Sequence, residues 1–212
     1  MSSTTAATKL DHKKLFKHLY TATAQPTLVE VPPLTYLMID GHGNPNTSAE
    51  YGEAIQTLYT VAYGAKFALK KSGGPDLAVM PLQGLWWAAD LTAFTTGDKD
   101  AWDWRMMIMM PDEMPADVIA RARATASAKV PAPTLERLHL ERFAEGRAAQ
   151  ILHVGPYADE GPTIERLHTF ISDQGLCRTG KHHELYLGDP RRAAPEKLRT
   201  IIRQPVGEAP GR

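Results

Sequence analysis

Lys181-His182-His183-Glu184-Leu185-Tyr186-Leu187-Gly188-Asp189-Pro190 puts one carboxylate in the middle of an otherwise apolar and aromatic strand. Read with the period of two that a strand imposes, His183, Leu185 and Leu187 share one face, which suits a helix packed over it. His182, Glu184 and Tyr186 share the other. An earlier stretch, Leu82-Gln83-Gly84-Leu85-Trp86-Trp87, aligns with it residue for residue: Gly84 falls where Glu184 does, Leu85 where Leu185 does, and Trp86 where Tyr186 does. A glutamate on a strand face is most often solvated, so the rest of the chain has to decide whether Glu184 faces water or a ligand.

Working outward, both stretches end a similar series of elements. In the first half a strand, Leu34 to Asp40, is closed by Gly41-His42-Gly43-Asn44-Pro45. A helix follows, with capping-box spacing of Thr47 and Glu50 and with Tyr51, Ala54, Ile55, Leu58, Tyr59 and Ala62 at helical intervals, until Ser72-Gly73-Gly74-Pro75 stops it. Strands are predicted over Leu77 to Trp87 and Trp102 to Met110, joined by the loop Thr95 to Asp100. The second half repeats the order: a strand Arg147 to Val154, a helix entered near Pro162 with Ile164, Leu167, His168 and Ile171 inward and Gly175 at its end, and strands His182 to Gly188 and Leu198 to Val206. Between the halves, Pro111 to Lys129 reads as an alanine-rich surface helix, broken by Pro131-Ala132-Pro133 and followed by a strand, Leu138 to Phe143.

The expected fold class is therefore α+β: a duplicated strand-helix-strand-strand module whose halves, 34–110 and 147–206, form a curved antiparallel sheet. Two long helices lie on one face and a ligand cleft on the other. The competing reading is two unrelated α+β halves that share short motifs by accident. Around the expected domain, 15–206, residues 1–14 read as a disordered N-terminus, with room for one short helix over Asp11 to Tyr20, and 207–212 as a tail.

Composition removes several function classes. The 24 basic and 24 acidic side chains cancel, so nothing draws the chain broadly to nucleic acid or an anionic membrane. The single cysteine, Cys177, rules out an intrachain disulfide framework and a cysteine-based zinc cluster. With no apolar run of spanning length and no signal-like N-terminus, a cytoplasmic protein is expected. His182 and His183 point to opposite faces and make a poor metal pair, and no dinucleotide fingerprint, nucleophile elbow or phosphate loop occurs. Neither a metal nor a cofactor is expected. Arg191, Arg192, Lys197, Arg199 and Arg203 read as a solvated basic face.

All four tryptophans, Trp86, Trp87, Trp102 and Trp104, fall on two neighbouring predicted strands, and methionines continue the second. Tryptophan and methionine fill cores well, but alternation forces Trp86 and Trp87 apart, so some of these side chains must line a cleft. The candidate ligand-binding residues are Trp86, Trp87, Trp104, Tyr186, Met38 and Met106. With Glu184 beside them, such a wall suits a planar hydrophobic ligand that is cationic or becomes electron-poor.

Gln150-Ile151-Leu152-His153-Val154-Gly155-Pro156-Tyr157, His182 to Pro190, Pro195-Glu196-Lys197-Leu198-Arg199-Thr200 and Pro81 to Trp87 resemble the GyrI-like small-molecule-binding family, with a likeness running from about Leu15 to Val206. The resemblance implies the duplicated module and a glutamate, here Glu184, projecting into an aromatic cleft. In effector-binding domains of multidrug-sensing regulators this residue meets cationic aromatic ligands. For stand-alone chains of this length, the resemblance implies hydrolysis of the strained cyclopropane in cyclopropanoid DNA-alkylating natural products, a detoxification. The roles it suggests are Glu184 as base or charge stabiliser and Tyr157 as donor to the substrate carbonyl. The alternatives are a non-catalytic multidrug-binding or sensing protein and, from the family name alone, a gyrase-interacting inhibitor. Trp102-Asp103-Trp104-Arg105-Met106 departs in detail from the family pattern, which leaves ligand preference open.

Overall fold

The computed structural model describes residues 9–90 and 96–209. The expected disorder of residues 1–8, the loop position Thr95 and the last three residues of the expected tail lie outside the described residues.

The strands are β1 (Lys9–Leu10), β2 (Thr27–Val31), β3 (Leu34–His42), β4 (Asp76–Leu77), β5 (Leu82–Trp87), β6 (Asp103–Met110), β7 (His139–Phe143), β8 (Gly146–Val154), β9 (Leu176–Arg178), β10 (His182–Tyr186) and β11 (Arg199–Glu208). The helices are α1 (His12–Leu15), α2 (Ala49–Lys71), α3 (Ala116–Ala126), α4 (Ala132–Arg137) and α5 (Gly161–Asp173). One antiparallel sheet runs in the order β2-β8-β11-β10-β5-β6-β3-β7, with β9 on the far end of β11. The order is symmetric about its middle: β10 against β5, then β11 and β6, β8 and β3, and finally β2 and β7. At the centre Glu184 lies opposite Gly84, so the residues that matched in sequence are related by the local two-fold of the sheet. The duplication extends into the connections. β3 and β8 have equal length, and at the same spacing each is followed by a glycine at positive φ, Gly43 (93°) or Gly155 (139°), and by the first residue of a long helix, Ala49 or Gly161.

Several boundaries differ from expectation. The predicted strand Leu77 to Trp87 is two, because 78–81 leave the sheet and β4 pairs in parallel with β1, so residues 9–14 carry ordered elements. The connecting helix is shorter than Pro111 to Lys129, starting only after Pro115, and its buried Val118, Ile119 and Ala122 pack on α2 rather than on the sheet. Pro131 begins α4 as well as ending the preceding segment, as fits the proline preference for a helix start.

One part of the expected architecture is corrected. Ile202 pairs with Glu184 and Ile151 with Ile202, so all three share a face, and there Ile151 and Ile202 pack with Leu167 and Ile171 of α5. On the same face Tyr51 of α2 touches Trp86 and Trp104. The cleft around Glu184 is therefore on the helix-bearing face, between α2 and α5. The opposite face is not free, because the chain at 18–21 closes over it. Arg203, expected on a solvated basic face, is 1% exposed there and donates to Leu19 O at 2.6 Å, to Gln150 Oε1 at 2.8 Å and to Glu145 Oε2 at 3.3 Å. Glu145 also accepts from His183 Nδ1 at 2.7 Å, and the Gln83 amide bridges His183 Nε2 and the Tyr20 hydroxyl, each at 3.0 Å. A charge buried this deeply persists because each polar group is met by another.

Candidate functional site

Glu184 sits at the middle of the sheet, flanked by the first turns of both long helices. β10 presents His182, Glu184 and Tyr186 on one face, and their side chains bond to one another. His182 Nε2 donates to Glu184 Oε1 at 3.0 Å and the Tyr186 hydroxyl to Oε2 at 2.8 Å. Trp86 Nε1 donates to the Tyr186 oxygen at 3.2 Å, fixing the phenol from behind. Gly84 makes room for this. A Cβ there would lie 2.9 Å from Trp86 Nε1, 3.1 Å from the Tyr186 oxygen and 3.2 Å from Met106 Sδ, so only a residue without one lets the indole and phenol meet.

The walls are aromatic. Trp86 stands between Tyr51 (centroids 5.9 Å apart) and Trp102 (5.8 Å), Tyr51 meets Trp104 edge-on at 5.3 Å, and Tyr157 meets Tyr186 edge-on at 5.6 Å. Met106, opposite Gly84, belongs to the floor. Of the sequence candidates, Glu184, Tyr186, Trp86, Trp104 and Met106 thus come together, with Tyr157, 39% exposed, at the rim. Two do not. Met38 pairs with Met107, which pairs with Gln83, so it lies in the core on the far face of the sheet. Trp87 points to the far face too, where its ring carries the Lys181 ammonium 3.1 Å from its centroid. Strand alternation excludes both from the site.

Sequence reading missed Glu160 and Tyr51. Glu160 is the residue before α5, where the first half has Ser48 before α2. It is 5% exposed, its Oε1 is buried without a hydrogen-bond partner, and its carboxyl faces both Glu184 and Thr200. Aligning the two halves through Gly43 and Gly155 would have exposed this exchange of serine for glutamate. Tyr51 was legible as an inward helical position, but not as a wall of the site.

The two carboxyls titrate apart. Burial, and then the charge of Glu184, push Glu160 up to about 9. Burial alone would raise Glu184 as well, but the hydrogen bond and charge of His182, followed by the Tyr186 hydroxyl and the facing Glu160 carboxyl, outweigh it and hold Glu184 below the ordinary carboxylate range. At neutral pH the pair therefore holds one proton, on Glu160, and one charge, on Glu184. Burial and the neighbouring Glu160 and Glu184 charges raise Tyr157 to about 12, so it stays a neutral donor. The arrangement is an ionised base and a protonated acid facing each other within an aromatic enclosure.

These features can be set beside known proteins. No curated protein matches the chain. A crystal structure of an uncharacterized conserved protein from Listeria innocua is 39% identical over 93% of this chain and all of its own, with a TM-score of 0.84. A second structure from Listeria innocua, described as a hydrolase, is 38% identical over 93% of this chain and all of its own, with a TM-score of 0.81. The EcmrR C-terminal domain shares the fold, with a TM-score of 0.56 at 12% identity over 87% of this chain and 98% of its own. No helix among the described residues is long and apolar enough to cross a membrane. The family model of the GyrI-like small molecule binding domain matches residues 24–206, and the chain belongs to the GyrI-like small-molecule-binding family.

Proposed function

We propose that the protein is a metal-free and cofactor-free hydrolase that binds planar aromatic compounds beside Glu184 and adds water to the activated cyclopropane of cyclopropanoid DNA-alkylating compounds, thereby detoxifying them. The observation that carries this reading is the placement of two carboxyls, Glu184 held by His182 and Tyr186 and the buried Glu160 facing it, inside one aromatic wall; the opposite shifts of the two carboxyls support it. The description of a 38% identical Listeria innocua protein as a hydrolase supports the reaction class.

In the proposed step a planar dienone lies against Trp86 and Tyr186, with its cyclopropane towards Glu184. Water attacks a ring carbon as Glu184 takes its proton, a C–O bond forms and a ring C–C bond breaks. The released electron pair moves through the dienone to the carbonyl oxygen, which becomes a phenol on receiving the proton of Glu160, with Tyr157 donating a hydrogen bond to the same oxygen. Glu184 then returns its new proton to Glu160, which it faces, and the site is reset. Ring strain and restored aromaticity supply the driving force, so the protein's task is to orient the reactants and exclude other nucleophiles.

Purified protein incubated with a cyclopropanoid and followed by mass spectrometry should yield the water adduct. Saturable binding without any adduct would leave a non-catalytic binding protein in its place. The walls make a second expectation. Trp86→Ala should weaken binding of a planar ligand by roughly 1–3 kcal/mol through lost stacking area. Trp87→Ala, on the far face, should leave the affinity unchanged in the same titration. Equal losses in both variants would contradict the assignment of faces.

A further inference from the structure

Tyr51, Ile55, Tyr59, Tyr63 and Phe67 occupy successive i, i+4 positions of α2 and form one stripe along it. The stripe begins inside the site, where Tyr51 touches Trp86 and Trp104. It turns by about 40° per step and therefore leaves the sheet as it runs along the helix. At Tyr59 it passes the mouth, since that phenol reaches the backbone of Leu82 and lies near Asp189 and Tyr157. Tyr63 and Phe67 then stand in solvent, 45% and 59% exposed. The three outer rings are nearly parallel: Tyr59 and Tyr63 have centroids 6.1 Å apart and planes at 30°, Tyr63 and Phe67 6.2 Å and 25°.

The fold does not require this surface. The pseudo-equivalent helix α5 exposes no large apolar side chain among the described residues, whereas α2 sets out two beyond the mouth. Charges along the stripe are paired with each other: Lys66, 5.9 Å from the Phe67 centroid, binds Asp76 at 3.2 Å, and Asp189 accepts twice from Arg191 at 3.0 Å. What the stripe offers is flat apolar surface, continuous with the inner wall and roughly 24 Å from Tyr51 to Phe67 at the rise of a helix.

We propose that the Tyr59, Tyr63 and Phe67 face of α2 is an outer subsite that stacks the second planar unit of an elongated, multi-ring aromatic ligand whose first unit lies against Trp86 and Tyr186. The proposal rests on the aromatic-site reading above and specifies its ligand class: tandem planar ring systems rather than single ones. Fluorescence titrations with phenylbenzimidazole, a one-unit probe, and with the bis-benzimidazole dye pibenzimol test it in the wild type and in the Tyr63→Ala, Phe67→Ala double variant. Both positions are solvent-facing, so the variant keeps its core. The variant should bind pibenzimol roughly tenfold more weakly and phenylbenzimidazole unchanged. Equal affinities for pibenzimol in the two proteins would overturn the subsite while leaving the inner site standing, as would a wild-type dimer that the double variant loses, since the stripe would then be a self-association surface. Failure of both probes to bind the wild type would overturn the inner aromatic site together with its extension.

Discussion

Glu184→Gln should abolish most turnover of a cyclopropanoid, by roughly 10²–10⁴-fold in kcat, while a neutral planar ligand binds as before. Glutamine keeps the shape of the side chain and accepts one of the two hydrogen bonds from His182 and Tyr186, so the substitution isolates the charge and the basicity. Two effects on stability oppose each other. The variant loses charge-assisted bonds, but it removes the charge that, after burial, obliges Glu160 to take up a proton on folding. Stability should therefore change by no more than about 1 kcal/mol. Single-turnover kinetics beside equilibrium binding separates these terms, and a wild-type rate in Glu184→Gln would remove Glu184 from the chemistry.

The largest expected loss of stability comes from the other face of the same strand. The Glu145 side chain is wholly buried and meets those of His183 and Arg203, themselves 0% and 1% exposed. Glu145→Ala leaves a buried guanidinium without its carboxylate, for which the expected cost is about 3–5 kcal/mol. In a chain of this size that lowers Tm by roughly 6–20 °C. Burial acts to raise the Glu145 carboxyl, but His183 and Arg203 together hold it below its ordinary range. A depressed folded-state value contributes stability above the unfolded carboxylate range and loses it as pH falls through the folded value. Wild-type stability should accordingly decline on acidification with a component that Glu145→Ala lacks. Denaturant unfolding at several pH values measures both terms, and a variant within about 0.5 kcal/mol of wild type would show that the network contributes little.

The centre of the fold was legible because its signals are local. Gly84 and Glu184 match within two short strands, and strand periodicity assigns Glu184, Tyr186 and Trp86 to one face without any distant contact. Boundaries set by proline were legible for the same reason, although Pro131 acted as a start as well as a stop. Met38 was not legible. β3 lies inside a sheet covered on both sides, so residues of both faces are buried and the alternation that would reveal its direction is gone. Arg203 lies in β11, buried along most of its length, and reads as a surface charge unless its partner Glu145, far away in sequence, is known. The side of the sheet that carries the cleft depends likewise on where the segment at 18–21 lands. Glu160 belongs to a third kind: its identity was in plain view, but its environment exists only once α5 has been placed over β8 and β11, which brings its first turn beside Glu184.

The proposed hydrolysis requires Glu160 as acid and Glu184 as base, and the pH dependence of kcat/KM for a cyclopropanoid tests this requirement most directly. In wild type the rate should fall with rising pH through about 9, where Glu160 loses its proton, and fall again in acid as Glu184 gains one. Glu160→Gln should be slower at neutral pH and lose the alkaline limb. An alkaline limb that survives unchanged in Glu160→Gln, or a wild-type profile that is flat from neutral pH to beyond the Glu160 value, would contradict the two-carboxylate mechanism.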